Sequence, residues 1–158
     1  MPIFSRLESL MDATYPITAF SNASSFIYHE IGDVNWVGFY FYDPMTDKLI
    51  LGPFQGKPAC VEIGRGKGVC GYAFEKASPV VVPDVSSFPG HIACDSDSRS
   101  EIVLPIKVKG NVVALLDIDS TSIGRFSAED TETLEKLSLI IGKYSEKVYP
   151  FVFLRTIG

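Results

Sequence analysis

The sequence is poor in the residues that most often announce a function. Its 158 residues include two histidines and three cysteines. That is too few, and too odd a number, for a secreted disulfide framework. No apolar stretch approaches the ~20 residues needed to cross a bilayer; the longest are Val80 to Val82 and Ile102 to Leu104. Lysine and arginine total 14 against 19 aspartates and glutamates, a net charge of −5. The basic residues are dispersed, with no cluster larger than the pair Arg65 and Lys67, so no nucleic-acid partner is expected. Residues 1–6 carry neither the basic segment nor the apolar core of a signal peptide, and no membrane association is expected, so a cytoplasmic location is the expectation. In such a reducing compartment the three thiols are inert, metal-binding or catalytic.

The remaining composition is that of a folded domain: 46% hydrophobic and 21% charged. A domain of this size buries roughly 70% of the surface its unfolded chain exposes, so it needs no disulfide or metal merely to fold. Residues 5–31 read as two helices broken at Pro16, which suits the first turn of the second. From Asn35 to Tyr42 the period changes to two, with Val37, Phe39 and Phe41 on one face and Trp36, Gly38 and Tyr40 on the other. Further strands are expected at 48–51, 60–63 and 78–82, and a short helix at 69–76. Residues 84–98 are rich in serine, aspartate, glycine and proline and form the longest loop, a length that usually marks function or disorder. Residues 101–108 and 112–119 read as a hairpin, and Ser127 to Asp130 as the capping-box start of a last helix running to Val148. Strands in the middle bracketed by helices imply an α+β fold with a mostly antiparallel central sheet flanked by helices. One domain is expected over 1–149, followed by an apolar tail at 150–158 that packs, pairs two copies or frays.

The hairpin is the most informative segment. Ile102, Leu104, Ile106 and Val108 make one apolar face, and Val112, Ala114, Leu116 and Ile118 make another. For both faces to join one core, a three-residue loop at 109–111 is required, because a two-residue loop would place them on opposite sides. In that register Glu101 sits across from Asp119, with Asp117 two residues along the same face. Converging carboxylates raise at least one pKa and supply a proton donor near neutral pH, or together hold a cation. Val103, Val113 and Leu115 fill the alternate positions, so the carboxylates belong to a covered face rather than to solvated strand ends.

Cys94 lies among polar residues of the long loop, surroundings that permit a reactive thiolate. Cys70 falls at the start of the short helix, where the dipole would lower its pKa. Cys60 precedes the glycine-rich stretch at 64–71. Spacings of ten and twenty-four match no zinc pattern, so no metal is expected. His91, three residues before Cys94, reads as a loop hydrogen-bonder. The glycine stretch lacks the ending of a phosphate-binding loop and reads as a turn into a helix. Trp36 and Tyr40 share a strand face and are either core or a pocket wall.

The strings GVCG at 68–71 and VPDV at 82–85, with the closing hairpin, resemble a GAF domain. GKPAC at 56–60, PGHIACDS at 89–96, RSE at 99–101 and LDID at 116–119 resemble one branch of it, the free methionine-(R)-sulfoxide reductases, over roughly residues 10–145. The resemblance implies a single GAF-like domain whose substrate is free methionine-(R)-sulfoxide, reduced with no metal or organic cofactor. It implies that Cys94 attacks the sulfoxide sulfur and that Cys60 resolves the product as a disulfide, with Cys70 accessory or an alternative resolver. Thioredoxin is implied as the reductant. Glu101, Asp117 and Asp119 are implied to hold the substrate ammonium and sulfoxide oxygen, and Trp36 and Tyr40 to wall its methyl group. The tail departs from the family pattern and leaves a homodimer open. The competing readings are a GAF module that senses a small ligand without catalysis, and a redox sensor that needs the thiols but neither Trp36 nor the three acids.

Overall fold

A computed structural model describes residues 2–92 and 94–154 of the chain. Six strands form one sheet: β1 (Trp36–Asp43), β2 (Lys48–Gln55), β3 (Glu62–Gly64), β4 (Val80–Val82), β5 (Ser100–Val108) and β6 (Asn111–Ser120). Their order is β3-β2-β1-β6-β5-β4, and every neighbouring pair is antiparallel. Four helices cover it: α1 (Ile3–Leu10), α2 (Pro16–Ile31), α3 (Gly68–Lys76) and α4 (Ala128–Val148). No described helix is long and apolar enough to cross a membrane.

The period of two in β1 divides the core as expected. Val37, Phe39 and Phe41 join the larger cluster, together with apolar residues of α1, α2 and α4. Trp36 and Tyr40 join a smaller cluster on the opposite face with Val69, Cys70 and Ala73 of α3. One face of the sheet is therefore built for stability, and the other, under a single short helix, has room for a site. Phe20 of α2 anchors the first face, meeting Phe39 and Phe41 edge-on at 5.0 and 4.9 Å. Phe151 at the start of the tail closes on Phe41 at 5.0 Å and is buried; residues 155–158 lie outside the described residues.

Local chemistry sets the element ends. Pro16 opens α2 at its first helical position. Ser127 caps α4 by accepting from the Asp130 N–H, while the Asp130 carboxylate accepts from the Ser127 N–H. Arg125 links these ends, donating to the carbonyls of Ile31 and Gly32 and to Asp130. Strand β2 runs four residues further than the sequence suggested, through Gly52 and Pro53, because a bulge opposite Phe39 absorbs them. Gly52 fits there only because it has no side chain: a Cβ would stand 2.3 Å from the Phe41 ring. The third strand begins at Glu62, so Cys60 stands just before it in irregular chain. Within the long loop, Val85–Ser87 form a 3-10 turn that Asp84 caps.

The β5–β6 hairpin corrects the sequence reading in one respect. Its loop is two residues, Lys109 and Gly110, both at positive φ (51° and 82°) as the tight hairpin turn requires. A bulge between Ile106 and Lys107 then shifts the pairing by one. Val113 joins the larger core in place of Val112, which turns to the opposite face. Beyond the bulge the expected register holds, with Glu101 opposite Asp119.

Candidate active site

Strand pairing assembles the site floor. Glu101 on β5 faces Asp119 on β6, and Asp119 also faces Trp36 on β1. Two residues along the same face, Asp117 faces Val103 on one side and Gly38 on the other. Gly38 allows the indole to lie flat: a Cβ there would meet the Trp36 ring at 2.6 Å and Phe54 Cβ at 2.4 Å. Trp36 stacks on Phe54 at 5.2 Å and lies beside Tyr40 at 6.1 Å.

The two aromatic residues also fix the segment that carries the first thiol. The Trp36 indole N–H donates to the Lys57 carbonyl at 3.0 Å, and the Tyr40 hydroxyl donates to the Cys60 carbonyl at 2.9 Å. The loop carrying the second thiol is held from the residue just before β1. The Asn35 side-chain amide donates to Asp95 and to Ser98, each at 3.1 Å, and Lys57 pairs with Asp97 at 2.7 Å across the two segments. Cys60 and Cys94 meet as a disulfide, with Cα atoms 5.4 Å apart, from positions thirty-four apart in sequence.

Beneath this bridge lies a cavity of about 30 Å³, the room of roughly one water, walled by Trp36, Tyr40, Cys70, His91 and Cys94 and floored by the three carboxylates. None of the residues described as lining it is a lysine or arginine. Glu101 and Asp117 are 7% and 6% exposed. Burial first, then repulsion from Asp119, pushes Glu101 up to about 8. Burial and Glu101 push Asp117 up, and burial and Asp117 push Asp119 up. At neutral pH the floor therefore retains protons that ordinary carboxylates would have lost. Asp117 Oδ1 is buried with no hydrogen-bond partner. His91 Nε2 stands 3.6 Å from Glu101 Oε1, and burial lowers the imidazole pKa, so the ring is neutral at pH 7.

Cys70 departs from expectation. It occupies the first turn of α3, yet its thiol pKa is raised, by burial first and then by Asp117 and Glu101. A helix terminus contributes about 0.3–1 kcal/mol, less than one pKa unit, whereas full burial moves a thiol by several. Cys70 is thus a buried, protonated thiol beside the carboxylates, outside the disulfide. Cys70, Glu101 and Asp117 each place one donor atom within 4.8 Å of the other two.

Every residue singled out in the sequence thus lies in or beside this pocket: Cys60, Cys70, Cys94, Glu101, Asp117, Asp119, Trp36 and Tyr40. Asn35 and Lys57 also hold the site together. Their partners lie forty or more residues away, and no local pattern marks them.

The arrangement can be compared with known proteins. The GAF domain family matches residues 5–143. The chain is 49% identical over 121 residues to a protein of Escherichia coli named free methionine-R-sulfoxide reductase, covering 77% of this chain and 72% of that protein. It is 48% identical over 129 residues to the protein of the same name from Saccharomyces cerevisiae, covering 78% and 72%. The structure of free methionine-R-sulfoxide reductase from Neisseria meningitidis in complex with its substrate superposes with a TM-score of 0.88 at 41% identity, covering 91% of this chain and 86% of that one. The chain belongs to the GAF domain family and, within it, to the free methionine-R-sulfoxide reductases.

Proposed function

We propose that this protein reduces free L-methionine-(R)-sulfoxide to L-methionine, with Cys94 as nucleophile, Cys60 as resolving thiol and thioredoxin as the dithiol that resets the pair. The observation that carries the reading is the pocket itself: buried carboxylates that retain protons, one with an unpartnered oxygen, in the same wall as a cysteine of a redox pair. A sulfoxide oxygen is a poor leaving group until protonated, and a carboxylic acid held neutral near pH 7 supplies that proton. Glu101 takes this role, being neutral up to about pH 8.

The Cys94 thiolate attacks the sulfoxide sulfur while Glu101 protonates the oxygen, leaving a sulfenic acid on Cys94 and releasing methionine. The proton lost by the Cys94 thiol on ionising restores Glu101. The Cys60 thiol then displaces the sulfenic hydroxyl as water, forming the Cys60–Cys94 disulfide. Exchange with an external dithiol returns both thiols and oxidises the dithiol.

Substrate choice follows from the same floor. A free amino acid brings an ammonium that a methionine within a peptide lacks, and Asp117 with Asp119 receives it. An ammonium gives the unpartnered Asp117 Oδ1 the donor it lacks. Trp36 and Tyr40, both almost fully buried, wall the methyl group. The cavity under the closed disulfide holds about one water, so substrate enters once the Cys60–Cys94 bond is opened. The competing reading of a nucleotide sensor is opposed by the lining, which offers a phosphate no lysine or arginine among its described residues. The test is turnover of free methionine sulfoxide beside its N-acetyl derivative, with dithiothreitol as reductant. The reading expects kcat/KM to fall at least ~100-fold when the ammonium is removed. Equal turnover of the two overturns it.

A further inference from the structure

We propose that Cys70, Glu101 and Asp117 form a binding site for one thiophilic divalent cation of the zinc class. The three donors come from separate elements, the first turn of α3, strand β5 and strand β6, and each lies within 4.8 Å of the other two. A cation bound at about 2.0–2.3 Å by sulfur and oxygen holds tetrahedral donors roughly 3.3–3.6 Å apart. Rotations of the carboxyl and thiol side chains that draw the trio together by about 1 Å complete that geometry. A thiolate beside two carboxylates selects zinc or cadmium over magnesium, which prefers oxygen alone.

Asp117 points to a ligand independently of the cluster. It is 6% exposed, and its Oδ1 is buried with no hydrogen-bond partner. Such an atom is costly to bury unless something positive or protonated reaches it. No lysine or arginine is among the residues described as lining the pocket, so the described lining supplies no permanent cation to this atom. The adjoining cavity of about 30 Å³ is of the size for a single ion or water. The sequence does not show this site, because its members fall at 70, 101 and 117, a spacing that no zinc motif shares. Cys70 stands outside the Cys60–Cys94 disulfide, so the site exists in the oxidised protein. That form has one thiol and therefore one sulfur able to report a metal.

The experiment titrates the oxidised, full-length protein with cadmium chloride and follows the ultraviolet sulfur-to-cadmium charge-transfer absorption. The expected result is a band that saturates at one equivalent, is lost in Cys70→Ser, and is displaced by zinc but not by magnesium at equal concentration. Glu101→Gln and Asp117→Asn, checked for folding by circular dichroism, are each expected to weaken apparent cadmium affinity tenfold or more. Displacement by zinc on the unmodified chain keeps the test valid if either variant fails to fold. No band on the oxidised protein, displacement by magnesium, or folded carboxylate variants that bind as tightly as the original chain would overturn the proposal. The measurement involves no turnover, so it stands or falls separately from the reading of the substrate.

Discussion

Replacing Glu101 by glutamine should make the protein more stable, by an amount that grows as pH rises from about 5 to about 8. Glu101 is 7% exposed and shares its strand register with Asp119. Its proton affinity rises from an ordinary 4.5 to about 8, chiefly through burial. Below pH 4.5 the carboxyl is protonated whether the chain is folded or not, and it contributes nothing to the pH dependence. Between pH 4.5 and 8 the folded state holds a proton that the unfolded state releases, so stability falls as pH rises. Above pH 8 the whole penalty is present. At about 1.4 kcal/mol for each tenfold change in proton affinity, it amounts to about 5 kcal/mol at most, less what Asp117 and Asp119 recover by relaxing. Glutamine keeps the shape and never ionises. For the oxidised protein, the expected gain of Glu101→Gln is about 2–5 kcal/mol at pH 8.5, or roughly 5–15 °C in melting temperature. At pH 5 the gain should be less than about 1 kcal/mol. Thermal melts of both proteins at the two pH values measure this directly. A gain of the same size at both, or a loss at pH 8.5, would refute the argument that the folded pocket holds Glu101 against its ionisation.

Other expectations concern the thiols and the aromatic wall. Cys94→Ser should abolish reduction of free methionine sulfoxide, whereas Cys60→Ser should release one equivalent of methionine per protein without reductant and then stop under thioredoxin; normal cycling in Cys60→Ser would hand the resolving role to Cys70. Gly38→Ala drives a methyl group into Phe54 and the Trp36 ring, at 2.4 and 2.6 Å. The overpacking should cost about 1–3 kcal/mol in urea unfolding and raise KM for the sulfoxide, and an unchanged KM would show that Trp36 does not bound the substrate.

Much of this architecture was readable from periodicity. The alternation of Val37, Phe39 and Phe41 with Trp36 and Tyr40 assigned the two faces of β1, because a side-chain period of two leaves no other arrangement once one face is buried. The pairing of Glu101 with Asp119 was legible for the same reason. The bulge between Ile106 and Lys107 was not, since one extra residue in a run of valines leaves no mark on composition, and Val112 and Val113 were consequently exchanged between faces. The raised pKa of Cys70 is not legible, because its helix position is visible in the sequence and its burial is not. The carboxylates that surround it come from strands thirty and more residues away, and they outweigh the dipole. Asn35 illustrates the remaining gap: its hold on Asp95 and Ser98 exists only after β1 and the long loop have been brought together.

The central claim is that the pocket reduces one epimer of a free amino acid. The most direct measurement is the course of reduction of an equimolar mixture of the two sulfur epimers of L-methionine sulfoxide with excess dithiol, with methionine and both epimers quantified to completion and a sulfoxide-bearing peptide run alongside. The account predicts that reaction stops at half conversion with the S epimer intact and the peptide untouched. Consumption of both epimers, reduction of the peptide, or no reduction by folded protein with free thiols would contradict it.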